Sequence, residues 1–171
     1  SAQNCVKITG RGSGGASTTN AGSSSPFTSP SWHAGAMSSP TIWSSGRYDA
    51  VGERIAPIAA QVVDAAEQRR ALGGADVVDL ACGTGSAALA AAARGARVTG
   101  VDYTPELVAI AKERDGADAV TWRVGDASDT GLPAGAFDVA VSNMGIIFVD
   151  PDRQVSEIVR LLKPAGALAF S

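Results

Sequence analysis

The chain of 171 residues is poor in several residue types, and each shortage excludes a class of function. Aromatic residues make up 5% of the chain and charged residues 18%, and the net charge is −3. This balance lacks the basic surface that nucleic-acid binding needs. No apolar run reaches the roughly 20 residues that a membrane-spanning helix requires. We therefore expect neither a nucleic-acid nor a membrane partner, and we take a cytoplasmic location as the default.

Cysteine and histidine are scarce as well. Cys5 and Cys82 give no disulfide framework and are interpreted as free thiols of a reducing compartment. The single histidine, His33, lies in a low-complexity segment, so the spacing of a metal site is absent and no metal is predicted. Catalysis by histidine is nearly excluded for the same reason. No other residue stands out as a general base, and the catalytic residues stay unassigned.

The composition divides the chain into two parts. Residues 1–36 consist mainly of Ser, Gly, Thr, Ala and Pro without helical or strand periodicity, which predicts a disordered extension. The segment is Ser-rich and acid-poor like a transit peptide, but it lacks the amphipathic, arginine-bearing pattern of one. An upstream extension is the alternative, and Met37 would then be the natural start. Residues 37–171 are predicted to form a single domain.

Helices and strands alternate in this second part. The periodicity predicts an amphipathic helix over about 49–70, which Pro57 should kink or divide. The remaining expected elements are strands at 76–81, 97–102, 119–124, 137–142 and 167–171, and helices at 86–94, 105–114 and 154–162. This alternation predicts an α/β fold with a Rossmann-like, doubly wound and mostly parallel sheet. Ligands of such sheets lie at the carboxyl ends of the strands.

Residues able to bind a ligand lie at the carboxyl ends of the first two predicted strands. Asp79 leads into the glycine turn 81–85, which lets the backbone approach a ligand closely. Asp102 ends the second strand, where a carboxylate can accept hydrogen bonds from both hydroxyls of a ribose. Tyr103 offers a flat face to an adenine. Asp102 could instead serve as a loop or N-cap acid, but Thr104 is expected to take part of that role.

The next two strands end in the same manner. Asp126, followed by Ala127, can accept a hydrogen bond from the exocyclic amine of an adenine, and Ser142 and Asn143 place short polar side chains at the cleft. Each feature alone is also typical of a solvated loop. The glycine run could also be a plain strand–helix turn without a ligand. It fits the looser dinucleotide fingerprint as well, so an NAD site is a further alternative.

The segments taken together resemble a known family. VVDLACGTGSAALAAAARGARVTGVDYTPELVAIAKER is similar to the S-adenosylmethionine (SAM) binding half of class I methyltransferases, especially the branch of the ubiquinone-biosynthesis C-methylases. GDASDTGLPAGAFDVAVSN and EIVRLLKPAGALAF resemble later motifs of that branch, so that the resemblance spans about residues 43–171. It implies SAM as the cofactor and the class I methyltransferase fold.

The resemblance also implies a role for each strand end. Asp79, Gly83 and Gly85 would hold the methionine portion of SAM, with Ala81 in the same loop. Asp102 would take the ribose, and Tyr103 the adenine face. The remaining implied cofactor-binding residues are Asp126 and Ala127 at the adenine edge, Ser142 and Asn143 at the methyl-transfer cleft, and Tyr48 covering the cofactor.

One feature of the sequence separates a SAM site from an NAD site. A carboxylate at Asp79 suits a ligand that bears an ammonium group and does not suit a pyrophosphate, which favours SAM over NAD. The leading hypothesis is methyl transfer to a small-molecule acceptor by in-line displacement, with carbon, oxygen and nitrogen acceptors all open. The alternatives are a non-catalytic domain that binds SAM or a nucleoside and, less favoured, an NAD-dependent oxidoreductase.

The end of the sequence departs from the family pattern. Ser171 falls within the fifth predicted strand, whereas the resembled fold ordinarily continues with another helix and two further strands. We therefore expect a truncated chain with a class I fold that lacks its last strands. The sequence supports binding of SAM by this chain better than it supports catalytic turnover. The fifth strand should then form an exposed apolar edge of the sheet. The sequence gives no indication of the oligomeric state.

Overall fold

The computed structural model describes residues 4–7, 48–146 and 149–171, with side chains from Arg54 onward in these ranges. Its strands are β1 (Asn4–Lys7), β2 (Asp76–Leu80), β3 (Arg97–Asp102), β4 (Val120–Val124), β5 (Phe137–Ser142) and β6 (Leu162–Phe170). The helices are α1 (Tyr48–Arg69), α2 (Ser86–Ala92), α3 (Pro105–Lys112) and α4 (Pro151–Leu161). The sheet order is β1-β6-β5-β2-β3-β4, and all neighbours are parallel except β1, which is antiparallel to β6. The prediction of a Rossmann-like, mostly parallel sheet is confirmed.

Apolar clusters cover both faces of the sheet. Val77 and Val139 pack with residues of α1 and α2 on one face, whereas Val78 and Ala140 pack with α4 on the other. Because both faces are covered, β5 is buried along its whole length. The chain leaves the central strand β2 toward β3 on one side and returns to β5 on the other. A crevice at the carboxyl ends of these strands is where sheets of this kind bind ligands.

The division that Pro57 was expected to cause, as the alternative to a kink, is not seen, because α1 runs from Tyr48 to Arg69 through the proline. Pro57 lies on the exposed side of the helix. A proline removes one backbone hydrogen bond, and on the solvent side water can satisfy the carbonyl group that loses its partner. Exposure of the ring therefore lets the helix continue.

The strand β1 corrects two expectations. Asn4–Lys7 lies in the segment predicted to be disordered, yet it pairs with β6 from Asn4↔Phe170 to Lys7↔Ala167. The composition predicted disorder because this segment lacks a core of its own, but a strand at a sheet edge takes its hydrogen bonds from its neighbour. β6 is consequently not the exposed edge that the sequence suggested. The other residues of 1–36, and Met37, lie outside the described residues, and a single domain over 37–171 remains a proposal.

An ion-pair network lies at the amino ends of the strands, opposite their carboxyl ends. Lys163 Nζ is 2.8 Å from Asp76 Oδ2 and 2.9 Å from Asp138 Oδ2, and Arg97 Nε is 2.7 Å from Asp76 Oδ1. The hydrogen bonds from Arg97 and then Lys163 lower the pKa of Asp76 to about 2. The network connects β2, β3, β5 and β6 at the end remote from the predicted site, so we assign it a structural role.

β6 begins at Leu162, earlier than predicted, and contains Ala165 with a φ of 62°. Left-handed backbone costs an alanine about 1–2 kcal/mol, whereas glycine adopts it freely. The opposing entropic cost of introducing a glycine is about 0.4–1 kcal/mol. We expect Ala165→Gly to raise the free energy of unfolding by about 0.5 kcal/mol or more, measured by urea denaturation. Ala134→Gly, at an exposed turn position without positive φ, is the control and should lower it.

Candidate functional site

The carboxyl ends of β2, β3, β4 and β5 lie along one edge of the sheet. Parallel pairing aligns Leu80 with Val101 and Asp102 with Val124, while Asp79 pairs with Val141. The sequence-predicted residues after each strand therefore share this edge, as the alternation of elements implies. Tyr48 begins α1, but its side chain lies outside the described residues, so its implied contact with the cofactor stays a prediction.

A loop with left-handed backbone links β2 to α2. Ala81, Gly83 and Gly85 have φ values of 57°, 54° and 84°. Cys82 N donates to Val101 O at 3.0 Å, and Gly85 N donates to Cys82 O at 2.8 Å, so the loop turns tightly against β3. A Cβ added to Gly83 would meet no atom within 4 Å. The backbone at Gly83 is therefore open to a ligand.

Asp79 is buried beneath this loop, with 1% of its surface exposed. Its Oδ2 accepts a hydrogen bond from Ala88 N at 2.9 Å, but its Oδ1 has no partner among the residues that the structure describes. Burial raises the pKa of Asp79 to about 8, against the lowering effect of the Ala88 hydrogen bond and with a further rise from Asp102. A buried carboxyl oxygen without a donor is a position that a ligand with an N–H group fits.

Asp102 joins two loops through both of its carboxylate oxygens. Oδ2 accepts from Gly83 N at 2.8 Å, and Oδ1 accepts from Thr104 N at 2.8 Å. Thr104 occupies the N-cap position of α3, but its side chain makes no capping hydrogen bond. Thr104 was expected to take part of the loop or N-cap role instead of Asp102. This expectation is wrong, because the carboxylate of Asp102 makes the hydrogen bonds that order the loop. Each carboxylate oxygen keeps a further lone pair, so Asp102 can still accept hydrogen bonds from the hydroxyls of a ribose.

The residues predicted to contact an adenine differ in accessibility. The side chain of Tyr103 is 62% exposed beside Asp102, so its ring face is available. Asp126 is exposed, although its Oδ1 already accepts from Ser128 N and Ser128 Oγ, each at 2.7 Å. The side chain of Ala127 is buried in the apolar cluster on the α4 face. A contact from Ala127 to an adenine would have to come from its main chain.

Ser142 and Asn143 do not form the pair of cleft-lining side chains that the sequence suggested. Ser142 is fully buried, and its hydroxyl donates to Leu80 O at 2.8 Å. The prediction for Ser142 is therefore wrong as to its side chain, which connects β5 to β2. Asn143 is partly exposed, and its Oδ1 accepts from Ser171 Oγ at 3.1 Å. Of the two, Asn143 is the side chain that can reach a ligand.

Two further residues hold the loop of residues 81–86, here called the glycine loop, and were not found from the sequence. The indole of Trp122 lies against Gly85 and Gly100, and the guanidinium of Arg114 bonds Thr84 and Ser86. Gly100 and Trp122 are direct partners across β3 and β4. The signal in the sequence is a tryptophan in one predicted strand opposite a glycine in the neighbouring strand. It can be recognised only when the register between the two strands is known.

The cysteine at this edge is not a reactive nucleophile. Cys82 is buried, and burial holds the pKa of its thiol well above its usual value, so the thiol is protonated and unreactive. Within the described part of the chain, no cluster of three His, Cys, Asp or Glu residues could hold a metal ion. The described helices include none that is long and apolar enough to cross a membrane.

Known proteins match this part of the chain in sequence. The model of the methyltransferase domain family matches residues 78–170, which contain all four strand ends of the site. Nocamycin O-methyltransferase of Saccharothrix syringae is 36% identical over 135 residues, which are 74% of this chain and 47% of that protein. The chain thus spans about half the length of the curated relatives it matches.

Methyltransferases are among the solved structures that share this fold. A putative SAM-dependent methyltransferase of Methanococcus maripaludis superimposes with a TM-score of 0.69 at 18% identity, covering 80% of this chain and 67% of that one. Geranyl diphosphate C-methyltransferase of Streptomyces coelicolor, in complex with Mg²⁺, geranyl diphosphate and S-adenosylhomocysteine, gives 0.59 at 26% identity, with 65% and 44% covered. The first likeness shows the fold, and the second extends to the sequence. The chain belongs to the family of class I SAM-dependent methyltransferases, whose cofactor is SAM.

Proposed function

We propose that this chain binds SAM at the carboxyl edge of β2, β3 and β4 and transfers its methyl group to a small molecule. The observation that carries the proposal is Asp79 Oδ1, which has no partner in the described part of the chain and lies beneath a loop whose Gly83 is open to a ligand. An ammonium group such as that of SAM would supply the missing donor. A pyrophosphate would instead place negative charge beside a carboxyl group that is already difficult to ionise.

The remaining strand ends fit the other parts of SAM. Asp102 can accept from the ribose hydroxyls while it holds Gly83 and Thr104. Tyr103 presents an exposed ring for the adenine, and Asp126 an exposed carboxylate for its amine. When bound, SAM supplies an electrophilic methyl group on a sulfonium. The residues named here bind and orient the cofactor, and no proton transfer by a side chain is needed for that role.

The acceptor is proposed to be a small molecule that attacks the methyl carbon in line with the carbon–sulfur bond. A new bond to the methyl group forms as the carbon–sulfur bond breaks, and the sulfonium becomes a neutral thioether. Alignment of two reactants can account for about 7–11 kcal/mol of such a barrier. The relatives named above act at oxygen in one case and at carbon in the other, so the acceptor atom stays open. The formal charge of −3 argues against a nucleic-acid acceptor.

Calorimetric titration of the chain with SAM, S-adenosylhomocysteine and NAD tests the cofactor part of the proposal. We expect dissociation constants in the micromolar range for the two sulfur nucleosides, about −8 kcal/mol, and no heat with NAD. A folded chain that binds none of the three, or that prefers NAD, contradicts the proposal. Binding without turnover of any small-molecule acceptor would favour the alternative of a binding domain.

A further inference from the structure

The glycine loop (residues 81–86) rests on the side chain of Trp122. A Cβ added to Gly85 would collide with the indole ring. One added to Gly100, the partner of Trp122 in β3, would come within 2.8 Å of Trp122 Cε3. Both contacts are possible only because these two positions have no side chain, so the ring fills the space beneath the loop.

The indole is also fixed at its other side. Trp122 Nε1 donates to Ala117 O at 3.1 Å, in the 3₁₀ turn Ala117–Ala119 that precedes β4. The ring is partly buried and packs against the apolar cluster formed with α1 and α2. An aromatic ring held by both packing and a hydrogen bond has little freedom to move away from the loop.

Arg114 holds the same loop from the protein surface. Its Nη1 donates to Thr84 O at 2.8 Å and lies 3.0 Å from Ser86 Oγ. Hydrogen bonds from a charged donor are stronger than those between neutral groups. Arg114 follows α3, whereas Trp122 belongs to β4, so two separate elements converge on the glycine loop.

We infer that Trp122 and Arg114 are positioning residues that set the affinity for SAM by holding the glycine loop in its binding conformation. The inference rests on the proposed binding of SAM. Left-handed backbone at Ala81, Gly83 and Gly85 is one of several conformations available to a flexible loop, so without support the loop would sample others. A preorganised loop avoids that entropic cost when the ligand binds. The two residues reach the loop through Gly85, Thr84 and Ser86, whereas the open position is Gly83.

Calorimetric titration with SAM, combined with urea unfolding of each variant, tests this inference on the full chain. We expect about tenfold weaker binding for Trp122→Leu and several-fold weaker binding for Arg114→Met. Trp122→Phe retains a ring against both glycines and should stay within about threefold of the unsubstituted chain. Arg123→Met is the control. It removes an exposed arginine from β4, the strand of Trp122, and should leave the affinity for SAM unchanged.

The outcomes separate positioning from simple stability. The inference is overturned if Trp122→Leu and Arg114→Met both lower the free energy of unfolding while the dissociation constant of the folded protein for SAM is unchanged. Arg114→Met alters a surface residue, so it decides the matter even if Trp122→Leu fails to fold. An unsubstituted chain that is folded but does not bind SAM would instead refute the proposed function, and this inference with it.

Discussion

Asp102→Ala is expected to weaken SAM binding about a hundredfold, because the substitution removes two things at once. The first is the proposed pair of hydrogen bonds to the ribose. The second is the carboxylate that accepts from both Gly83 N and Thr104 N. Its loss leaves these two backbone donors without their acceptor. A donor left unsatisfied in a buried position costs about 1–3 kcal/mol. We therefore also expect a measurable loss in the free energy of unfolding.

Asp102→Asn separates the two effects. An asparagine keeps one oxygen acceptor but presents an amide NH₂ to one of the two backbone donors, so it should fall between alanine and the unsubstituted chain. Asp118→Ala, at an exposed acid in the 3₁₀ turn, controls for the change in net charge. Calorimetry for SAM and urea unfolding should be measured on all four proteins. Equal affinity of Asp102→Ala and the unsubstituted chain would remove Asp102 from the cofactor site.

The strand ends could be predicted because the signals that place them are local. Apolar runs that stop at a glycine or an acid mark the carboxyl end of a buried strand, and parallel connections then bring all such ends to one edge. Asp79, Asp102 and Asp126 were located in this way. The glycine loop was found for the same reason, since Gly83 and Gly85 do adopt left-handed backbone.

The errors arose where the outcome depends on a distant partner. The hydroxyl of Ser142 could point to the crevice or to a neighbouring strand, and the register that brings Leu80 O within reach decides it. β1 forms because β6 offers a free row of backbone groups, which no composition reveals. Trp122 fits beneath the loop because Gly85 and Gly100 lack side chains. Steric fit between separate segments is not visible in a linear pattern.

Asp79 should make the stability of the chain fall as the pH rises from about 4 toward 8. Burial raises the pKa of its carboxyl group to about 8 in the folded chain, from an ordinary value of 3.8. Between these values the unfolded chain has released the proton that the folded chain retains, so the folded state binds more protons. The free energy of unfolding then decreases by roughly 1 kcal/mol for each pH unit.

Asp79→Asn removes this titration while keeping an oxygen that can accept from Ala88 N. We expect its advantage in stability over the unsubstituted chain to be small near pH 5 and to grow by on the order of 1 kcal/mol per pH unit toward pH 8, measured by urea unfolding. Asp76→Asn is the matched control. The pKa of Asp76 is about 2, so its contribution to stability is lost only as the pH falls below about 4, and its curve should run parallel to that of the unsubstituted chain from pH 5 to 8. Parallel curves for Asp79→Asn would show that Asp79 is ionised throughout this range.

In the proposed site, the same carboxyl group connects stability to the cofactor. An ammonium group beside Asp79 Oδ1 favours the ionised form and so lowers the pKa that burial has raised. Binding of SAM near pH 7 must then release a proton, and its affinity must increase as the pH approaches 8. The contribution of Asp79 to the stability of the ligand-free chain is thus smallest near pH 8, where the proposed binding of SAM is expected to be tightest. Asp79→Asn should abolish this pH dependence along with the slope in stability, because both have one origin: an acid held neutral by burial until a cation pairs with it.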